Sequence, residues 1–333
     1  MNKRLLSKCE LLVKNKEIIQ NTYKWDDKKM ALAGSFLFTS KMKEVSEEKL
    51  KECEEIFKDN TSIFSNFRGN LKLPLLCKMA LSDNPEEYMC EVKETYNTIN
   101  EKKWFRSEYT ILSAMAICDN KDNLDKNTCI DRAKEIYDKM KKEHIILTSD
   151  EDIPFATMLA MADCDVDSMI CDMEECYDIL KKKFSDKNAV QAISHVLATT
   201  KSNISLKCNR VVQIYEKLAE ANHKYPKGCE LSTLAALALS GEEIDELVKE
   251  ICEVDDYLKK QRGFGCLSID KATRRMYAAL MVLNEYTGEA VKNSGSDENI
   301  AMSVTLNNIL ATQICVAVVI GITMSNALQS SAY

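Results

Sequence analysis

The run Asp163-Cys164-Asp165-Val166-Asp167, followed by Ile170 and Glu174, places acidic side chains where a calcium-binding loop wants them. Its sixth position, which needs glycine for the sharp turn, holds Ser168. The plainer reading is a turn between two helices whose aspartates cap the second. Cys164, Cys171 and Cys176 stand nearby, but no C-x2-C pair and no suitably spaced histidine accompanies them, so no metal and no cofactor is expected. The histidines are His144, His195 and His223. No nucleophile elbow, P-loop, G-x-G-x-x-G or H-E-x-x-H motif occurs. The sequence therefore offers no catalytic residues, and it leans away from an enzyme.

The residue types that could carry binding lie on connecting stretches. These are Phe64 to Asn70, Trp104 to Tyr109, His144 to Asp150, Phe184 to Asn188, His223 to Tyr225 and Arg262 to Gly265. Arginine, tryptophan and histidine on the loops of a rigid scaffold are what interfaces use. The candidate binding edge is Arg68, Asn70, Trp104, Arg106, His144, Asn188, His195, Arg262 and Phe264. Asn188 and His195 are two helical turns apart and share a face on that reading. The competing reading is that each aromatic fills a gap between repeats, and that each arginine caps helix carbonyls.

These stretches are spaced by what lies between them. Phe57, Tyr96, Tyr137, Tyr177, Tyr215 and Tyr257 recur at intervals of 39, 41, 40, 38 and 42 residues. Ahead of the last five stand Ala80, Ala116, Ala160, Ala198 and Ala238. The stretch Thr157–Phe184 shows the unit clearly, with a small apolar helix, an acidic turn, then Met169, Met173, Tyr177 and Leu180 on one stripe. A period near forty is that of two-helix repeats. The expected fold is all-α: tandem two-helix repeats of about 40 residues stacked as an α-solenoid, with a closed α/α ring as the alternative.

In chain order, an opening helix spans 1–28. Met30 to Phe38 and Glu47 to Lys58 form the first pair, with Ser46 as N-cap. Hairpins follow at 74–102, 109–143, 154–184, 189–221 and 230–260. A last helix spans 271–288, with Gly288 as its C-terminal cap. Pro74, Pro85 and Pro154 fall at helix starts, where a missing N–H leaves nothing unpaired. The domain reading is a helical-repeat domain over 1–290, a linker over 291–298 and a helical tail over 299–333 that carries no charged residue. Within the tail, Ile309 to Met324 is nearly all apolar but shorter than the roughly twenty residues a bilayer requires. A closing helix over the last repeat is preferred to membrane attachment.

Composition agrees with helices. Gly (9) and Pro (4) are too sparse for the many turns of a sheet protein. A net charge of -7 and the lack of a dense basic run argue against nucleic acid. The fourteen cysteines are scattered and often on apolar helix positions, and the N-terminus has no signal-peptide pattern, which points to a reducing cytoplasm.

The phrases FRGNLKLPLLCKMALSDNPEE, KNAVQAISHVLA, EVDDYLKKQRGFG and RMYAAL resemble those of a bacterial family, domain of unknown function family 4003. The resemblance runs from near Trp25 into the tail. It implies a bacterial cytoplasmic setting and transfers no activity and no site residues. The expected function is an interaction scaffold that binds a protein or peptide. The alternatives are an α/α-ring enzyme or small-ligand-binding protein, and a membrane-peripheral adaptor held by its tail. Self-association is left open.

Overall fold

The structure is a computed structural model that describes residues 1–24, 26–62, 65–102, 107–122, 124–162, 164–265 and 268–293, of which 287–293 by backbone only. Among these residues the chain forms fourteen α-helices and no strand. It divides into two compact units, Asn2–Ile130 and the residues from Asp131 onward.

The first unit contains α1 (Lys3–Thr22), α2 (Lys28–Ser40), α3 (Glu47–Asn60), α4 (Lys72–Leu81), α5 (Pro85–Glu101) and α6 (Glu108–Asp119). The boundary falls inside α7 (Lys126–Glu143). The second unit continues with α8 (Ile153–Met161), α9 (Val166–Leu180), α10 (Lys187–Leu197), α11 (Ile204–Glu220), α12 (Leu231–Leu239), α13 (Ile244–Lys259) and α14 (Lys271–Asn293).

Two kinds of helix alternate, and the sequence says why. Helices α2, α6, α8, α10 and α12 are short and largely apolar, and are enclosed over eight or more successive residues, as in Met30–Thr39, while α4 is enclosed over Leu73–Cys77. A helix that is apolar all round must be surrounded. Helices α3, α5, α9, α11 and α13 bury one stripe only. In α9 it runs Val166, Met169, Ile170, Met173, Cys176, Tyr177, Leu180, with charged residues opposite. Within the first unit α2 touches α4 and α3 touches α5. Within the second, α8 touches α10, α10 touches α12, α12 touches α14, and α9, α11 and α13 follow one another likewise.

Local signals set the ends. Ser46 accepts from the Lys49 N–H, and Glu47 and Glu48 sit in the first turn of α3. Asp165, Asp186 and Asn203 cap α9, α10 and α11 in the same way. Pro74, Pro85 and Pro154 all fall in first turns, as expected. One end is corrected. Helix α14 does not stop at Gly288 but runs on to Asn293, taking in the first three residues of the expected linker. Glycine inside a helix costs about 1 kcal/mol relative to alanine and stops it only where the chain also turns left-handed. The rest of the linker and the tail 299–333 lie outside the described residues.

All five repeat alanines are buried, as are Phe57, Tyr96, Tyr137 and Tyr177, whereas Tyr215 and Tyr257 are half-buried. Loop rings meet three of these tyrosines. Phe67 packs edge-on against Tyr96 at 5.0 Å, His144 lies 4.8 Å from Tyr177, and Phe184 meets Tyr215 at 5.1 Å. Among the described residues eight cysteines are buried, while Cys90 and Cys171 are exposed.

Candidate functional site

The loop that follows α7 combines two exposed isoleucines with a buried imidazole–carboxyl pair. Helix α7 ends at Glu143, and the Leu147 and Thr148 N–H groups turn back to the His144 carbonyl at 3.1 and 2.9 Å. That tight turn pushes Ile145 and Ile146 outward, 72% and 94% exposed. The chain then folds in again. Thr148 Oγ1 donates to the Met140 carbonyl at 3.2 Å and accepts from Gln191 Nε2 of α10 at 3.1 Å. A 3₁₀ turn, Asp150–Asp152, leads into α8, with the Asp152 carboxylate accepting from the Ser149 N–H at 2.9 Å.

Below this loop sit two imidazole–carboxyl pairs. His144 faces Glu174 at 3.0 Å, near enough for an ion pair but without hydrogen-bond alignment, and leans on the Tyr177 ring. Burial raises the Glu174 carboxyl, against the pull of His144. Deeper in, His195 of α10 is 2% exposed, its ring 5.3 Å from Phe155 and its Nδ1 3.8 Å from Asp152 Oδ1. Burial pushes the Asp152 carboxyl up to about 7, opposed by the Ser149 N–H. Burial, helped by the nearby His144, pushes the His195 imidazole down to about 3.

The expected edge residues differ in their surroundings. Arg68 is exposed, but its guanidinium donates to the Thr61 carbonyl at 2.8 Å and lies 5.8 Å over the Phe57 ring. It completes the end of α3, the competing reading for an arginine in that place. Asn70 is exposed, and its N–H meets the half-buried Glu108 carboxyl. Gly69 permits this approach, since a Cβ there would stand 2.2 Å from Glu108 Oε1. Asn188 and Arg262 are exposed, and His144 is half-buried. His195 and Phe264 are buried, so their side chains offer no surface. The two-turn spacing of Asn188 and His195 holds, but α10 enters the core at Ala189, and a shared face changes from exposed to enclosed along its length. Trp104 and Arg106 lie outside the described residues. So does Asp163, the first residue of the calcium-like run, whose Asp165 serves as the cap of α9.

A second polar cluster was not legible in advance. Asp255, 1% exposed, accepts from Arg274 Nε at 2.6 Å, Arg275 Nε at 3.2 Å and His223 Nδ1 at 2.9 Å. Arg275 also holds the Lys224 and Asn222 carbonyls, and Asn222 turns with φ 62°. Burial would raise the Asp255 carboxyl, but these donors outweigh it and hold it below its usual range. Every oxygen is engaged, so the cluster fastens the 222–225 turn and has no capacity left for a ligand. The adjacent arginines in an apolar helix were its one sequence signal.

Among the described residues no group of His, Cys, Asp and Glu is arranged to hold a metal ion, and no helix is long and apolar enough to cross a membrane.

Among the described residues, fold and site together define an all-helical protein. The chain belongs to the family described as Protein of unknown function (DUF4003), whose model matches residues 15–317. It is 25% identical over 174 residues to "Uncharacterized protein YeaA" of Bacillus subtilis (strain 168), a match covering 51% of this chain and 51% of that protein. The chain thus spans about half the length of that relative. No solved structure matches it.

Proposed function

We propose that the chain is a helical-repeat interaction scaffold, stacked as an α-solenoid, that binds a protein or peptide through the loops joining its hairpins. The exposure of Ile145 and Ile146 carries this reading. Single exposed apolar residues are ordinary, but two adjacent isoleucines held out by a hydrogen-bonded turn are a poor choice for a surface that meets only water. Burying one such side chain gives about 1.5–3 kcal/mol, enough to anchor a modest interface. His144 and Thr148 hold the loop at its root, so little ordering would be lost on binding.

The stacking reading draws on bonds that repeat down the chain. Arg132 of α7 donates to the Ala162 carbonyl after α8, and Arg210 of α11 donates to the Ala238 carbonyl at the end of α12. Lys139 pairs with Asp167, and Lys217 pairs with Asp245. Helices α7 and α11 thus reach equivalent places in the hairpin ahead, which supports the stacking reading. Scattered cysteines, eight of them buried among the described residues, suit the reducing cytoplasm of a bacterium.

The test places a photo-crosslinking amino acid at Ile146 in cells, with exposed Lys249 as control. The expected result is a discrete adduct from position 146 that is missing from 249 and weakened by Ile145→Glu. An adduct of twice the chain's mass would make the partner a second copy. Equal labelling from both positions, or none from 146, overturns the proposal.

A further inference from the structure

The Asp152–His195 pair presents a problem of charge. Both residues are more than nine-tenths buried, and among the described residues no Lys or Arg pairs with Asp152. His195 Nδ1 is a buried nitrogen with no hydrogen-bond partner, although Asp152 Oδ1 lies only 3.8 Å away. An ion pair here would leave two desolvated charges in imperfect contact, an arrangement whose desolvation cost commonly exceeds its attraction. A neutral pair avoids that cost. It needs the carboxylic acid to be the donor and the imidazole to keep its own hydrogen on Nε2.

We propose that Asp152 and His195 form a neutral latch: folding moves the pair's single proton from the imidazole to the carboxyl, whose O–H then faces Nδ1. No proton is gained or lost in this step. The bond broken is N–H of the imidazolium and the bond formed is O–H of the carboxylic acid. A shift of about 1 Å closes the gap to a full hydrogen bond. Gln191 and His195 are one turn apart on α10, so the Gln191–Thr148 bond and this latch fasten the 148–152 segment side by side.

The neighbouring groups favour the neutral form. Asp150 and Glu151 on the latch's own turn are acidic, and Tyr137 and His144 face it from α7, with Glu174 of α9 behind His144. Beyond α10, Cys229 and Glu230 stand at the start of α12, and Asp186 caps α10. Lys141 of α7 stands near enough to Asp150 to pull its carboxyl down, whereas the charge acting on Asp152 is that of Glu151, which favours the neutral carboxyl.

The consequence is a pair that does not respond to acid. Unfolded, its one proton rests on the imidazole between about pH 4 and 6.5. Folded, it rests on the carboxyl across the same window. Equal proton counts in the two states mean no pH dependence from the pair. Each partner alone has a large dependence, of opposite sign. In Asp152→Asn the lone His195, held neutral by burial, makes the unfolding constant fall by up to tenfold per pH unit as pH rises. In His195→Gln the lone Asp152, held protonated, makes it rise by up to tenfold per unit.

The experiment measures urea-unfolding constants of the whole chain from pH 4 to 7 for wild type and both variants. Slopes of opposite sign show that the two groups share one proton across this window, and slopes of the same sign, or none, overturn the proposal. The 13C NMR titration of the Asp152 carboxyl in the wild-type chain then locates that proton and decides between the latch and an ion pair. A carboxyl still protonated at pH 5.5 supports the latch, and one already ionised there overturns it.

Discussion

Asp255 shows how one carboxylate can secure a turn that no helix reaches. Three donors converge on it, so Asp255→Asn would leave two buried guanidinium groups without their counter-charge. Removing one partner of a buried ion pair typically costs about 3–5 kcal/mol, and a loss in that range is expected in urea unfolding at pH 7. Its pH dependence has a definite sign. A carboxyl held below its usual range stabilises the fold above about pH 3.9 and loses that contribution as pH falls through the folded value. The gap between wild type and Asp255→Asn should therefore narrow under acid, and a gap unchanged at pH 3 would contradict the network. His195 teaches a different lesson at this scale. Its sequence neighbourhood suggested an exposed edge, because spacing reports the face a residue occupies and not whether that face is later covered.

At the scale of helices, Gly34 of α2 marks a close approach between neighbours. A Cβ there would meet Cys77 Sγ of α4 at 2.6 Å and Ile19 of α1 at 3.3 Å. Gly34→Ala should gain about 1 kcal/mol of helix propensity. It should lose more, since overpacking costs about 1–3 kcal/mol and Cys77, fully buried, has nowhere to retreat. A net drop in stability that Cys77→Ala largely restores is the expected result of thermal unfolding. A stabilised single variant would mean the helices can part. Most helices were legible because their causes are local: Ser46 before a glutamate-rich turn, proline in a first turn, the stripe of α9. What escaped depends on distant partners. Asp152 and His195 are 43 positions apart, as are Thr148 and Gln191, and nothing in either stretch alone announces the pairing. The far end of α14 escaped for the opposite reason, since Gly288 carries a strong local signal that its surroundings do not use.

Across the molecule, the cysteines form a pattern of their own. Cys9, Cys53, Cys77, Cys118, Cys129, Cys176 and Cys208 are buried on α1, α3, α4, α6, α7, α9 and α11, and Cys229 is buried just before α12. Burial pushes the Cys53 and Cys118 thiols up to about 11 and Cys229 up to about 12. Because the thiolate is the reactive form, these positions should resist a maleimide at neutral pH while exposed Cys90 and Cys171 react. Peptide mapping after brief labelling checks this, and early modification of Cys53, Cys118 or Cys229 would contradict the packing. The distribution makes the chain its own recorder. Seven of the fourteen helices carry a buried sulfur that is shielded while the helix is seated and is uncovered when it lifts. A labelling time course under native conditions would therefore rank the helices by how often each one opens, without a single substitution.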